Sequence, residues 1–280
     1  MRKFGEDTGP ESLYLAKLKL SDEEELVSVK EVRVNADESI FSEAAIVREA
    51  AVLMSLRGSR WMPDLKFYFR HRNRHFLVTG LAGGYDLHSY LERKATLSIP
   101  EARLFTGQLV LAIESLHSFG FIHRNLKPET LWIDGGHLRL TGFNFCRKAG
   151  ERIHFDNLPV DYSPPESLTD PGPCSPAVDA WSVGAILYEM LYGGPPFSDN
   201  SRDRNKTIYR IIHCERYLWF PPHNDPDASF ANELIRSLLK PESQRISIKD
   251  VKSHAFFRSV DWRDIRLPDA EELIPETYST

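Results

Sequence analysis

The sequence predicts an α+β fold in two parts, a small β-rich lobe with one main helix and a larger helical lobe. Over residues 13–34, apolar and polar side chains alternate with a period of two, which is typical of strands with one buried face. From about Gly83 onward, apolar residues recur at helical spacing instead. This change of period predicts lobes at residues 1–81 and 82–262, followed by an acidic tail at 263–280.

The small lobe is predicted to contain a hairpin, one helix and two further strands. An acidic turn at Asp22–Glu25 joins the two strands of the hairpin. The hairpin strands are expected at 13–19 and 26–34, the helix at about 42–56, and the further strands near 65–69 and 75–79.

The large lobe is predicted to be built around two helices. Ser98 and Pro100 form a helix start signal in front of residues 102–117. A second helix at 177–191 is apolar on most faces, which predicts a deeply buried position. The short segments between the two helices, at 121–131 and 138–145, are expected to be loops.

Composition limits the possible partners. The chain has 280 residues, of which 41% are hydrophobic, and its net charge of -5 provides no basic field for nucleic acid or anionic lipid. No apolar run approaches the roughly 18 residues that suggest a membrane span. The cysteines are odd in number and lack metal-ligand spacing, and no signal-like leader is present. We therefore expect a cytoplasmic or nuclear protein.

Seven short motifs follow one another along the chain. They are VSVK ending at Lys30, REAAVL with Glu49, HRNLKPET at His123–Thr130, GFN at Gly142–Asn144, PPE at Pro164–Glu166, DAWSVG from Asp179, and KPESQRIS with Arg245. In this order they resemble the signature set of eukaryotic protein kinases. GGPPF, HAFF and VDW resemble the serine/threonine group that depends on cyclic nucleotides and phospholipids. The resemblance implies the bilobal protein kinase fold.

Three positions that perform the chemistry of that family are altered. Asn125 stands where the family has the aspartate of the catalytic loop, and an amide cannot accept a proton at neutral pH. Gly142 stands in place of the aspartate that binds magnesium, and Thr130 in place of the second metal-binding residue, an asparagine. We therefore expect no intact catalytic residue and no magnesium site of the family type.

The residues that would surround the nucleotide, in the cleft between the two lobes of a kinase, are altered as well. Residues 5–12 resemble the loop that covers phosphates, yet Glu6, Asp7 and Glu11 lie where backbone amides would approach a polyanion. Trp132 stands where the family has a small aliphatic residue under the adenine. Its indole either fills that space or rotates into the neighbouring core. We therefore predict no cofactor, with ATP binding disfavoured.

Residues that hold the family's fold are retained. Lys30 and Glu49 are both present, and we interpret them as an ion pair between sheet and helix rather than as phosphate ligands. The resemblance also implies structural roles for two further sets of residues. An internal spine would consist of His123, Phe143, Leu53 and Asp179. A pair in the large lobe would consist of Glu166 and Arg245.

This pattern favours a pseudokinase, a kinase-like protein that works by binding as a scaffold or allosteric module. The expected partner is a protein, such as an active kinase or another signalling enzyme. Two alternatives stay open. One is a sensor that binds nucleotide without metal. The other is a weakly active atypical kinase in which Asp86 or Asp134 supplies a substitute carboxylate.

Overall fold

A computed structural model of the protein describes residues 2–4, 10–20, 23–34, 42–80, 83–152, 158–169, 172–199, 203–223 and 225–265. The predicted α+β fold is confirmed, because a five-stranded sheet and one helix form the first lobe and a mainly helical lobe follows. Glu6, Asp7 and the acidic part of the predicted tail lie outside the described residues.

The sheet of the small lobe is antiparallel and has the strand order β1-β2-β3-β5-β4. Its strands are β1 (Arg2–Phe4), β2 (Glu11–Leu20), β3 (Glu23–Arg33), β4 (Leu65–His71) and β5 (Arg74–Gly80). The predicted hairpin and both further strands are confirmed. The predicted acidic turn is wrong in part, because residues 23–25 pair with residues 18–20 and extend the ladder.

The helix of the small lobe, α1 (Glu43–Ser55), begins after Ser42, whose hydroxyl accepts the backbone N–H of Ala45 at 3.3 Å. Its buried positions are spaced so that most of them share one face. They are Ala45, Ile46, Glu49, Ala50, Val52 and Leu53. The helix therefore turns one acidic side chain, that of Glu49, toward the interior.

The large lobe contains eight α-helices among the described residues. They are α2 (Leu87–Lys94), α3 (Ile99–Ser118), α4 (Pro165–Thr169), α5 (Ala177–Tyr192), α6 (Arg204–Ile212), α7 (Cys214–Tyr217), α8 (Ala228–Leu238) and α9 (Ile248–Val251). Both predicted helices are confirmed as α3 and α5. A capping box of Ser98 and Glu101 starts α3, and every residue of α5 from Val178 to Leu191 is buried.

Short strands connect the helices of this lobe. They are β6 (Tyr85–Asp86), β7 (Phe121–Ile122), β8 (Leu131–Asp134), β9 (His137–Leu140) and β10 (Arg147–Lys148). The prediction of loops at 121–131 and 138–145 is therefore wrong in part. These strands are two to four residues long, so pairing with distant partners determines them rather than local alternation.

The packed structure extends to Ile265, which is buried and whose carbonyl accepts the side-chain amide of Gln108 at 3.2 Å. The first three residues of the predicted tail at 263–280 thus belong to the large lobe. Among the helices of the described ranges, none combines the length and apolar character that a membrane crossing requires.

Candidate functional site

Lys30 on β3 reaches two carboxylates. Its Nζ lies 3.1 Å from both carboxylate oxygens of Glu49 on α1 and 3.2 Å from Oε2 of Glu11 on β2. Burial by itself lowers the pKa of Lys30, but the two carboxylates outweigh burial and raise that pKa above its ordinary value. With both carboxylates ionised, this group of three side chains carries a net negative charge.

Asn125 and Thr130 lie between β7 and β8, and both are buried. The side-chain nitrogen of Asn125 faces the carbonyl of Gly142 at 3.5 Å. The Thr130 hydroxyl lies 3.1 Å from the carbonyl of Asn125 and 2.9 Å from the carbonyl of Lys127. The same hydroxyl accepts the backbone N–H of Lys127 at 3.1 Å. This hydroxyl is therefore committed to the backbone of its own loop.

Gly142 has a left-handed backbone with φ 78° and ψ 44°. A Cβ added here would lie 2.8 Å from Cγ2 of Thr130 and 3.4 Å from Nδ2 of Asn125. The three altered positions are thus neighbours in space, and the Thr130 methyl group fills the place that a side chain at Gly142 would need.

These residues do not fit a magnesium ion bound as in active protein kinases. Magnesium is a hard cation that takes oxygen ligands, chiefly carboxylates and phosphates. The three positions offer a neutral amide whose nitrogen faces a carbonyl, a hydroxyl already bonded to the backbone, and no side chain at all, so none of them supplies a carboxylate. Across the described ranges, no cluster of three His, Cys, Asp or Glu side chains could hold a metal ion.

Trp132 lies on the side of β8 opposite to the core. Its strand neighbours Leu131 and Ile133 are buried, whereas Trp132 is half-buried. Its indole Nε1 donates to the carbonyl of Gly83 at 2.7 Å, in the segment that enters β6. A Cβ at Gly84 would overlap the Ile133 carbonyl, so this segment lies directly against β8. The indole is therefore fixed to the connection between the lobes and does not rotate into the core.

His123 has the contacts of a neutral core residue. Its Nε2 lies 2.9 Å from the carbonyl of Thr141, and its Nδ1 accepts the backbone N–H of Asn125 at 3.3 Å. These partners assign the proton to Nε2. Burial lowers the pKa of His123. Its ring meets Phe143 edge-on with centroids 5.1 Å apart, and Phe143 and Leu53 lie in the same hydrophobic core.

Asp179 on α5 is fully buried and holds the loop that contains His123. Its carboxylate accepts the backbone N–H groups of His123 at 2.9 Å and Arg124 at 2.8 Å. The Nε2 atom of His117 lies 2.7 Å from the same carboxylate, a partner that sequence reasoning missed because no motif includes it. Burial raises the pKa of Asp179, but these bonds outweigh it and hold the pKa below its ordinary value.

Glu166 and Arg245 form a bidentate pair in the large lobe. Nη1 and Nη2 of Arg245 lie 2.6 and 3.0 Å from the two carboxylate oxygens. The guanidinium also donates to the carbonyls of Ala177 and Lys240 and lies over the ring of Trp181. The pair therefore links the segment around α4 to the chain beyond α8.

The two carboxylates considered as substitute metal ligands have local partners. Asp86 caps α2, because it accepts the backbone N–H and the hydroxyl of Ser89 at 2.8 and 3.0 Å. Asp134 lies 3.2 Å from Arg139. Asp86 is thus bound to the first turn of α2, and Asp134 is paired with an arginine of the neighbouring strand β9.

A family model and the similar known proteins both indicate the protein kinase family. The family model described as "Protein kinase domain" matches residues 14–257. Citron rho-interacting kinase of Rattus norvegicus is 33% identical over 249 residues, which are 85% of this chain and 12% of that protein.

Two further relatives come from Homo sapiens. Serine/threonine-protein kinase MRCK beta is 33% identical over 252 residues, 85% of this chain and 14% of the relative. Serine/threonine-protein kinase MRCK gamma is 33% identical over 248 residues, 84% of this chain and 16% of the relative. The chain thus spans less than a fifth of the length of these relatives. Their names support the resemblance to serine/threonine kinases.

Proposed function

The chain belongs to the protein kinase family, and we propose that it is a pseudokinase, a member without phosphotransferase activity that acts by binding another protein. The names of its relatives describe kinases, so the proposal rests on the residues of this chain. The observation that carries it is the contact among the three altered positions, Asn125, Thr130 and Gly142.

Phosphoryl transfer needs a metal to bind the phosphates and a carboxylate to accept the proton of the substrate hydroxyl. At this site Asn125 offers a neutral amide where a base worth roughly 10² to 10⁴ in rate would stand. The Thr130 methyl group occupies the space beside Gly142 from which a carboxylate would reach the metal. Both requirements are therefore unmet by the same three residues.

Binding is the function that fits the retained residues. The Glu166 and Arg245 pair, the Asp179 contacts and the His123 to Phe143 packing all hold the large lobe together. None of them needs ATP. A protein that uses the shape of a kinase as a scaffold or allosteric module would keep these contacts and lose the others. We expect the partner to be an active kinase or another signalling enzyme.

A radiometric assay tests the absence of transfer. Purified wild type, a Lys30→Ala variant and the kinase domain of MRCK beta as positive control are incubated with labelled ATP, magnesium and a basic protein substrate. We expect the wild type to match Lys30→Ala. Incorporation clearly above that variant would overturn the proposal. Affinity capture followed by binding of the purified partner then tests the scaffold role.

A nucleotide sensor without metal is the second candidate, because Lys30 and Glu49 retain a contact of 3.1 Å. Thermal unfolding with ATP, with and without magnesium, separates the two. A ligand present at about 100 times its Kd stabilises the folded state by roughly 2.7 kcal/mol. We expect no shift in Tm, whereas a shift without magnesium would favour the sensor.

A further inference from the structure

The position of Glu11 follows from the register of the small-lobe sheet. Strand β2 pairs Glu11 with Val32 and Leu13 with Lys30. Alternate residues of a strand point to the same side of the sheet, so Glu11, Leu13, Lys30 and Val32 share one face. Glu11 is thus a diagonal neighbour of Lys30, within reach of a long side chain.

The carboxylate of Glu11 uses that reach to contact the lysine. Oε2 of Glu11 lies 3.2 Å from Nζ of Lys30, while the carboxylate of Glu49 holds the same ammonium from the helix. The side chain of Glu11 is 42% exposed and that of Glu49 is 6% exposed. The second carboxylate therefore approaches from the open side of the site, the side from which a soluble anion would come.

The net charge around Lys30 determines whether an anion can bind on its open side. One ammonium paired with one carboxylate is neutral and can still accept an anion on its open side. One ammonium between two carboxylates has a net charge of about -1, so a polyphosphate would meet repulsion as well as an occupied partner.

We infer that the Glu11 carboxylate is a built-in anion that fills the ligand position on Lys30 and excludes polyphosphates from this part of the cleft. The inference deepens the proposed function, because it gives the residue that keeps a kinase-shaped cleft free of nucleotide. It also assigns Glu11 a second role, linking β2 to the pair of Lys30 and Glu49 without any ligand.

The test measures binding of inorganic tripolyphosphate, without metal, by isothermal titration calorimetry. Tripolyphosphate lacks the nucleobase of ATP, so Trp132, which stands where the family contacts the adenine, does not affect the result. The variant is Glu11→Gln, which keeps the size of the side chain and removes its charge. Glu24→Gln is the matched control, because Glu24 pairs with Lys17 on the same hairpin at 3.4 Å in an exposed position.

We expect Glu11→Gln to bind tripolyphosphate at least about tenfold more tightly than the wild type, a change of about 1.4 kcal/mol. Glu24→Gln should bind as the wild type does. The gained affinity should weaken with added salt and disappear in the double variant Glu11→Gln/Lys30→Met. A gain that survives replacement of Lys30 would overturn the inference, as would wild-type affinity in both Glu11→Gln and Glu11→Ala.

A second variant, Glu11→Ala, controls for poor folding of Glu11→Gln or for a new contact made by its amide. If it also fails to bind more tightly while its thermal unfolding stays cooperative, the inference is wrong. This result is independent of phosphate transfer. A wild type that binds tripolyphosphate but transfers no phosphate would refute the role of Glu11 and leave the pseudokinase proposal standing.

Discussion

Two ion-pair sites of this protein differ in a way that separates its framework from its cleft. In the large lobe, Arg245 meets one carboxylate, that of Glu166, and its remaining donors bind backbone carbonyls. In the cleft, Lys30 meets two carboxylates, and one of them, from Glu11, is 42% exposed. The first site is balanced in charge, whereas the second has one carboxylate in excess.

The difference shows which function each site can serve. A balanced and fully bonded pair fixes two segments of chain and has no capacity for a ligand. In active kinases the lysine of the cleft has a phosphate as its additional partner. Here we infer that the Glu11 side chain takes that position, which would leave Lys30 without an open side for a phosphate.

Breaking the framework pair should have the largest effect. Arg245→Leu leaves Glu166 and two carbonyl groups without their donor, so we expect a loss of about 3 to 5 kcal/mol in the free energy of unfolding. Urea denaturation measures it. Arg258→Leu is the control, because Arg258 is exposed where it pairs with Asp227 and should cost less than about 1 kcal/mol. Equal losses in the two variants would contradict the comparison.

Restoring a side chain at Gly142 should have the next largest effect. Gly142→Asp places a Cβ against the Thr130 methyl group at a positive φ, so we expect a loss of about 1 to 3 kcal/mol in stability. Gly150→Asp is the matched control, since Gly150 has φ 80° and no atom within 4 Å of its added Cβ. It should cost less.

The steric part of that loss can be isolated with a second substitution. Thr130→Ser removes the methyl group and keeps the hydroxyl that bonds the loop backbone. In a double-mutant cycle it should recover most of the difference between Gly142→Asp and Gly150→Asp. Additive losses would mean that the methyl group does not block the site.

Acid should destabilise the protein by a smaller amount. Because burial holds the pKa of His123 below the ordinary value of 6.5, the unfolded chain binds more protons between the folded pKa and 6.5. The free energy of unfolding therefore falls as pH decreases through this window, by about 1.4 kcal/mol for each unit of pKa difference. Protonation of Nδ1 would also displace the N–H of Asn125.

Urea midpoints measured at pH 7.5 and at lower values test this dependence. His123→Phe should flatten it, while replacement of the exposed His71 by glutamine should leave it unchanged. An unaltered slope in His123→Phe would assign the acid sensitivity to other groups. The Asp179 carboxylate, whose pKa is lowered from the ordinary value of 3.8, contributes stability that is lost as pH falls below 3.8 toward its folded pKa.

The smallest expected effect is on catalysis. The double variant Asn125→Asp/Gly142→Asp should show no robust phosphate transfer in the radiometric assay, because Glu11 still occupies Lys30 and Trp132 still binds the carbonyl of Gly83. Turnover well above the Lys30→Ala background would show that these two contacts do not close the site.

The sequence by itself determined the two lobes, the hairpin, helices α1, α3 and α5, and the three altered positions. Period and motif order are local properties of the chain, so they can be read without coordinates. Only the tertiary structure decided that Thr130 fills the space beside Gly142, that Trp132 turns to the connection between the lobes, and that Glu11 reaches Lys30. These contacts join residues brought together by strand register and loop packing, and a one-residue change of register would reverse which face Glu11 shares.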